Sequence, residues 1–179
     1  MTGDYKKELK PAYTMLTIME EAGRCLLCYD APCTKSCPAG TDPAKFIRSV
    51  RFRNFKGAAE TIRENNALGA VCARVCPTER YCEEACSRCG IDKPIDIAGI
   101  QRFVTDFEEK AGMKILEKGA ANGKKIGIVG SGPSALQAAA SLLAKGYEVD
   151  IFEKDAYAGG FLRTGIPEYR LPNRIVDVE

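Results

Sequence analysis

The sequence of 179 residues contains no histidine, the side chain that zinc sites most often combine with cysteine. It has no long run of charge of either sign. Its 26 Lys and Arg stand against 24 Asp and Glu for a net charge of +2, so nothing marks a nucleic-acid or membrane-surface partner. No apolar run approaches the ~18 residues needed to span a bilayer, so no membrane role is expected. The first ten residues lack the apolar core of a secretory signal, and the chain is expected to stay in the cytoplasm. Hydrophobic residues make up 45% of it and charged residues 28%, a balance that argues against disorder and suits one sizeable core or two small ones.

Cysteine is what the chain has in quantity, with nine. A disulfide framework requires an oxidising compartment and an even count, and neither is on offer. Structural zinc favours repeated Cys-x-x-Cys pairs, and that spacing occurs at Cys25 and Cys28 and again at Cys86 and Cys89, but a single zinc site would leave about half of the nine cysteines unused. Eight of the cysteines fall in two stretches, Cys25, Cys28, Cys33 and Cys37 in the first, Cys72, Cys76, Cys82 and Cys86 in the second. Cys37-Pro38 and Cys76-Pro77 repeat a Cys-Pro step. In ferredoxin-type runs the cysteine before proline ligates the other cluster of a two-cluster protein. The pattern therefore points to two 4Fe–4S clusters built by exchanging ligands between the stretches, holding about eight irons.

Around these stretches the periodicity is helical. Leu16, Ile18, Met19 and Ala22 predict a helix over 12–24 that stops at a left-handed Gly23. Pro32 and Pro38 are expected to keep the first ligand loop free of regular helix. Asp42-Pro43 reads as a cap and first helical residue, with Phe46, Ile47 and Val50 buried on a helix to about Arg53. Phe55, Ala58, Ala59 and Ile62 predict the next helix, and Arg48, Arg51, Arg53 and Arg63 are expected on a solvated basic face. Cys72 with Cys76, and Cys82 with Cys86, are four apart, so each pair is expected to share a helical face. After Pro94 a longer helix carries Ile97, Ile100, Val104 and Phe107, with Gln101 on the apolar side. An amide there needs a partner, which is either nearby backbone or iron.

Residues 111–123 gain glycine and lose apolar period, marking a linker. The expected division is a helical iron–sulfur domain over 1–120 and a second domain over 121–179. In the second, Ile126 to Val129 reads as a strand, Gly130-Ser-Gly132-Pro-Ser-Ala135 as a turn, Ala135 to Lys145 as a helix, and Glu148 to Phe152 as a strand ending at Glu153. This is the order in which Gly130 makes a tight turn, Gly132 admits a pyrophosphate at a helix N-terminus, and an acid about 20 residues on takes ribose hydroxyls.

With these residues in hand the chain resembles the N-terminal part of dihydropyrimidine dehydrogenases, the flavin-containing subunit of the bacterial NAD-dependent enzymes most of all, with the glutamate synthase small subunit a more distant relative. The resemblance runs through Asn65 to Ala70, Cys76-Pro77, Pro94 to Gln101, Ile151 to Lys154 and Gly165 to Pro172. It implies an α+β multidomain chain: an all-α domain with two 4Fe–4S clusters, followed by an incomplete Rossmann-like α/β FAD-binding domain. It also implies one cluster on Cys25, Cys28, Cys33 and Cys86, and the other on Cys37, Cys76, Cys82 and Gln101; spacing alone would equally offer Cys72 as the eighth ligand. Gly130, Ser131, Gly132, Pro133 and Ser134 would meet the FAD pyrophosphate, and Glu153 the adenosine ribose. Lys154, Gly159, Gly160, Phe161 and Arg170 would make further FAD contacts.

The implied activity is electron transfer from NAD(P)H through FAD and both clusters. Its acceptor would be a partner subunit with FMN and iron–sulfur centres that reduces uracil or thymine. An electron donor to glutamate synthesis, or a stand-alone iron–sulfur module, are the alternatives. No acid, base or nucleophile is called for, since the cofactors carry the chemistry. Two strands and one helix cannot cover both faces of a parallel sheet, so these residues by themselves are expected to bind FAD weakly and to lack NADH oxidation.

Overall fold

The computed structural model describes residues 7–179, which form two compact units, Pro11–Met113 and Lys114–Glu179, the latter together with residues 7–10. The division falls before the expected 120/121 boundary. Gly119 N–H donates to the Leu143 carbonyl and Asn122 N–H to that of Gly146, so the latter part of the glycine-rich segment is already packed on the second unit. No helix among the described residues is long and apolar enough to cross a membrane.

In Pro11–Met113 every regular element is helical. Helix α1, Met15–Gly23, starts at a capping box in which Thr14 and Thr17 satisfy each other's backbone N–H, a device that removes two orphan donors. Gly23 does not take the left-handed conformation expected of it. The helix closes through Arg24 N–H on the Glu21 carbonyl, and the left-handed residue is Leu27, at φ 54°, inside the ligand loop. A short helix α2, Pro32–Lys35, interrupts that loop. Pro32 does not prevent it because proline at the first helical position gives up only an N–H that had no helical partner.

Helices α3, Pro43–Arg51, and α4, Phe55–Arg63, are capped by the side chains of Asp42 and Asn54. They bury Phe46, Ile47 and Val50 of α3, and Ala58, Ala59 and Ile62 of α4. Full burial of each larger side chain is worth ~1.5–3 kcal/mol. Arg53, at φ 58°, turns the chain between them. Helix α5, Gly69–Val75, and helix α6, Ile97–Lys110, complete the bundle. Asp96 caps α6 at Gly99 N–H and accepts from the Tyr13 hydroxyl. The Phe55 ring lies 4.9 Å from that of Phe107 and 5.7 Å from that of Phe103.

The expected solvated arginine face holds for Arg48, Arg51 and Arg53, which are exposed, but not for Arg63. Its guanidinium pairs with Glu108 at 3.0 Å, the two side chains being 9% and 10% exposed. The expected helix through Cys82 and Cys86 is also absent. A 3-10 turn over Thr78–Arg80 ends at Tyr81 with φ −132° and ψ −106°, and the chain continues in turns to a second 3-10 segment, Ser87–Gly90. Glu83 N–H returns to the Thr78 carbonyl and Cys86 N–H to that of Glu83, so no i to i−4 ladder links the two cysteines.

The second unit contains strand β1, Lys125–Val129, helix α7, Pro133–Ala144, and strand β2, Glu148–Phe152. The strands pair in parallel, from Lys125 opposite Glu148 to Val129 opposite Phe152. A parallel pair needs a crossover, and α7 supplies it. Val129 is 92% exposed, in keeping with a two-stranded sheet covered on one side. Short helices α8, Phe161–Thr164, and α9, Asn173–Val178, bury Leu162, Ile175 and Val176 beside Leu171.

Candidate functional site

Cys25, Cys28, Cys33 and Cys86 line a single pocket in the helical unit. Its wall is apolar: Ile47 comes from α3, Ile97 from the first turn of α6, and Ile95 from the segment before it. These side chains are there because α3 and α6 turn their buried stripes inward. Burial raises the Cys25 thiol, with the neighbouring Cys86 and Cys28 charges adding to it. Burial, then Cys86 and Cys25, push Cys33 up to about 11. The four sulfurs thus stand within one another's electrostatic reach, although Cys86 lies more than fifty residues away in sequence.

Polar groups fix the rim of this pocket. Cys28 Sγ is 3.4 Å from Ser87 Oγ, and Arg51 donates to the Cys25 carbonyl at 3.2 Å. Arg88 forks onto both oxygens of Asp92 and donates to the Arg24 carbonyl. Arg24 in turn meets both oxygens of buried Glu21, and Glu21 accepts from Asp96 N–H. One connected network therefore ties α1, the Cys86 segment and the entry to α6.

Cys37, Cys76 and Cys82 form a second group. Burial, followed by Cys72 and Cys37, pushes Cys76 up to about 11. Burial, followed by Glu83, Cys76 and Cys37, pushes Cys82 up to about 12. Cys72, on α5, stands beside Cys76 with its Sγ 3.7 Å from Asn66 Oδ1. Gln101 is half-buried, and its Nε2 donates to the Gly69 carbonyl at 2.8 Å. Both answers to the buried amide are thus compatible: its nitrogen end is on backbone, which leaves Oε1 as its donor atom for a metal. Cys89 is exposed and reaches the Glu83 and Glu84 carbonyls.

In the sequence Asn65 stood out only as part of the Asn65 to Ala70 stretch, with no role of its own. Its Nδ2 donates to the Ala39 carbonyl and its Oδ1 accepts from the Thr41 hydroxyl, so it clamps the loop after Cys37-Pro38 to the end of α4. A polar pair, Asn65-Asn66, between two amphipathic helices was the available signal.

The donor set fits a polynuclear group better than one ion. Ligands of a single zinc must all lie within about 2.3 Å of one point, and no three Cys, Asp or Glu among the described residues converge that way. Four soft thiols round an apolar pocket are the donors that iron–sulfur clusters use.

In the second unit, Gly130 takes φ 88° directly after β1, and Pro133 opens α7. Ser131 N–H and Oγ both donate to Glu153 Oε2, at 2.8 and 2.5 Å, and Asp155 N–H donates to Oε1. Gly159 N–H donates back to Ser131. Gly130, Ser131, Gly132, Glu153, Gly159 and Gly160 are thus gathered in one place. Pro133 and Ser134 are exposed at the start of α7, Lys154 and Phe161 are exposed beyond β2, and Arg170 is half-buried before Leu171.

The Ser131 hydrogen bonds, with the Asp155 amide next, hold the Glu153 carboxyl down to about 2. A carboxyl depressed in the folded state contributes stability above its unfolded pKa and loses it as pH falls through the folded value. The Glu153 side-chain carbonyl carbon, followed by NMR, should accordingly stay at its ionised shift from pH 7 to below pH 4, where free glutamate is already half protonated. A midpoint near 4 would show that the Ser131 contacts are not held in solution.

Two family models match the chain: dihydropyrimidine dehydrogenase domain II, 4Fe-4S cluster, over residues 2–113, and an NAD(P)-binding Rossmann-like domain over residues 128–178. The NAD-dependent dihydropyrimidine dehydrogenase subunit PreT of Escherichia coli is 60% identical over 176 residues, 98% of this chain and 43% of its own length. The same protein of Salmonella typhimurium, and its homolog in Salmonella typhi, match to the same extent. The chain thus spans less than half the length of these curated relatives. With four thiols about one pocket and a glycine turn leading into α7, it belongs to the dihydropyrimidine dehydrogenase domain II family of 4Fe–4S proteins, here joined to a Rossmann-like domain.

Proposed function

We propose that the chain is the electron-carrying part of an NAD(P)H-dependent dihydropyrimidine dehydrogenase. It would pass electrons from NAD(P)H, through FAD and two 4Fe–4S clusters, to an FMN- and iron–sulfur-containing partner that reduces uracil or thymine to the 5,6-dihydro form. The observation that carries this reading is the pocket shared by Cys25, Cys28, Cys33 and Cys86, in a chain 60% identical to a dihydropyrimidine dehydrogenase subunit. Those four cysteines hold one cluster in this reading; Cys37, Cys76, Cys82 and Gln101 Oε1 hold the other. Bound there, a flavin would supply hydride acceptance from nicotinamide and one-electron release, and iron–sulfur clusters would supply one-electron relay.

The protein's part is to bind, insulate and bias. Ile47, Ile95 and Ile97 line the first group of thiols with apolar surface, and an apolar surround is one lever on potential. The Ser87 hydroxyl, beside Cys28 Sγ, becomes a donor to sulfur once that thiol is ionised. Arg51 places positive charge on the Cys25 backbone. Asn65 holds the Cys37 loop in place for the second group. In the other unit the Gly130–Ser134 turn receives the FAD pyrophosphate, Glu153 receives the adenosine ribose, and Gly159, Gly160, Lys154, Phe161 and Arg170 make further contacts.

The test is an anaerobic assay of the protein with the partner it captures. NADH-dependent reduction of uracil supports the reading. Glutamine-dependent glutamate formation would move the chain to glutamate synthesis, and cluster reduction with neither product would leave only an electron-transfer module.

A further inference from the structure

Ser131 lies between the two glycines of the turn and is 1% exposed. Its hydroxyl is used in both directions, donating to Glu153 Oε2 and accepting from Gly159 N–H at 3.2 Å. Gly159 N–H also reaches the Ser131 carbonyl at 3.1 Å. The turn after β1 therefore meets, on one buried residue, two segments more than twenty residues further along: the end of β2 and the Gly159–Gly160 turn. The last of these has φ of 119° and 50°. A Cβ added at Gly160 would come within 3.2 Å of Gly132 Cα, so that turn lies against the glycine that faces a pyrophosphate in such sites.

We infer that Ser131 is a positioning residue for the adenosine half of the dinucleotide, fixing the Glu153 carboxylate through Oε2 so that a ribose hydroxyl is received on Oε1. This rests on the reading of the Gly130 turn as a dinucleotide site. Oε2 takes both Ser131 donors and Oε1 takes Asp155 N–H at 2.9 Å, with the Lys154 backbone N–H a weaker influence on the same carboxylate. A carboxylate oxygen has two acceptor positions, so Oε2 is filled and Oε1 is the oxygen with capacity. A serine has a single side-chain torsion, and with both hydrogen-bonding functions satisfied under burial it has no alternative rotamer to offer. An alanine there keeps the backbone N–H on Oε2 but loses the shorter bond. The carboxylate is then held by backbone amides alone, and the ribose meets a less firmly preset acceptor.

NMR shift titration of the purified protein with ADP and with 2′,3′-dideoxy-ADP separates this role from a structural one, because it reads affinities into the millimolar range. Hydrogen bonds to a charged group typically discriminate by on the order of tenfold or more, so the native protein should prefer ADP by about that factor. Ser131→Ala should lower that ratio by about threefold or more while leaving the dideoxy affinity nearly unchanged. The ratio compares two ligands in the same sample, so a partly unfolded variant leaves it intact. If Ser131→Ala keeps the native ratio, or weakens both ligands equally, the inference is overturned. If the native protein itself shows no preference for ADP, it is the ribose role of Glu153 that fails, and the inference falls with it.

Discussion

Cys82→Ser should remove about half of the iron held by anaerobically prepared protein, roughly four of eight atoms for two cubane clusters. Cys82 is the most buried of the cysteines, at 6% exposure, and the charges it feels include those of Cys76 and Cys37. A serine hydroxyl there has the wrong softness for iron and, with no other route to water, does not recover the lost bond. Cys86→Ser should remove the other half, because Cys86 belongs to the pocket of Cys25, Cys28 and Cys33. Electron paramagnetic resonance of the reduced variants distinguishes the surviving cluster, and iron with acid-labile sulfide gives the count. Loss of all iron from either variant would sink the division into two independent groups, and zinc without sulfide would sink the clusters themselves. Cys72→Ser provides the finer test. It should keep both clusters; iron loss as deep as that of Cys76→Ser would transfer the eighth position from Gln101 to Cys72.

Glu108→Ala should destabilise the helical unit by about 3–5 kcal/mol, the cost of breaking a buried ion pair by removing one member. Arg63 Nε meets both Glu108 oxygens, at 3.0 and 3.1 Å, and Arg63 also donates to the Ala67 carbonyl just ahead of α5. The pair therefore joins α4, α6 and the start of α5. Urea unfolding of the cluster-loaded protein measures the loss. Lys56→Ala is the internal reference, since its partner Glu60 is 55% exposed in the side chain and the pair spans 3.7 Å on one helix face; such pairs contribute ~0.5 kcal/mol or less. A Glu108→Ala loss no larger than the Lys56→Ala loss would mean that water screens the Arg63 pair.

Arg63 also marks where the sequence was legible and where it was not. Helices α3 and α4 could be read because their signals are local: a capping side chain, a proline at the first position, and apolar residues three and four apart. The parallel strand pair and its crossover helix were readable for the same reason. Arg63 read as solvated because its partner lies 45 residues along the chain, and no periodicity carries such a contact. Cys82 and Cys86 illustrate the converse error: a spacing of four was taken for a helix face, but backbone bonds back to Thr78 and Glu83 make turns of it. Which cysteine belongs with which came from the family resemblance rather than from spacing. The hydroxyl of Ser131, placed between the two glycines in sequence, gave no sign that it would meet Glu153.

The two ligand groups are joined twice by short covalent straps. Cys33 and Cys37 are four residues apart, as are Cys82 and Cys86, and in the proposed pairing each strap runs from one cluster to the other. Four residues span at most ~14 Å even when fully extended, and here the Cys33 strap is partly helical and the Cys82 strap is a series of turns. Two such tethers at different points leave the centres no freedom to separate, whatever larger motions the protein undergoes. In that pairing the backbone would bound the tunnelling distance between the two proposed clusters, so that tuning of electron exchange would fall to their potentials and reorganisation energies.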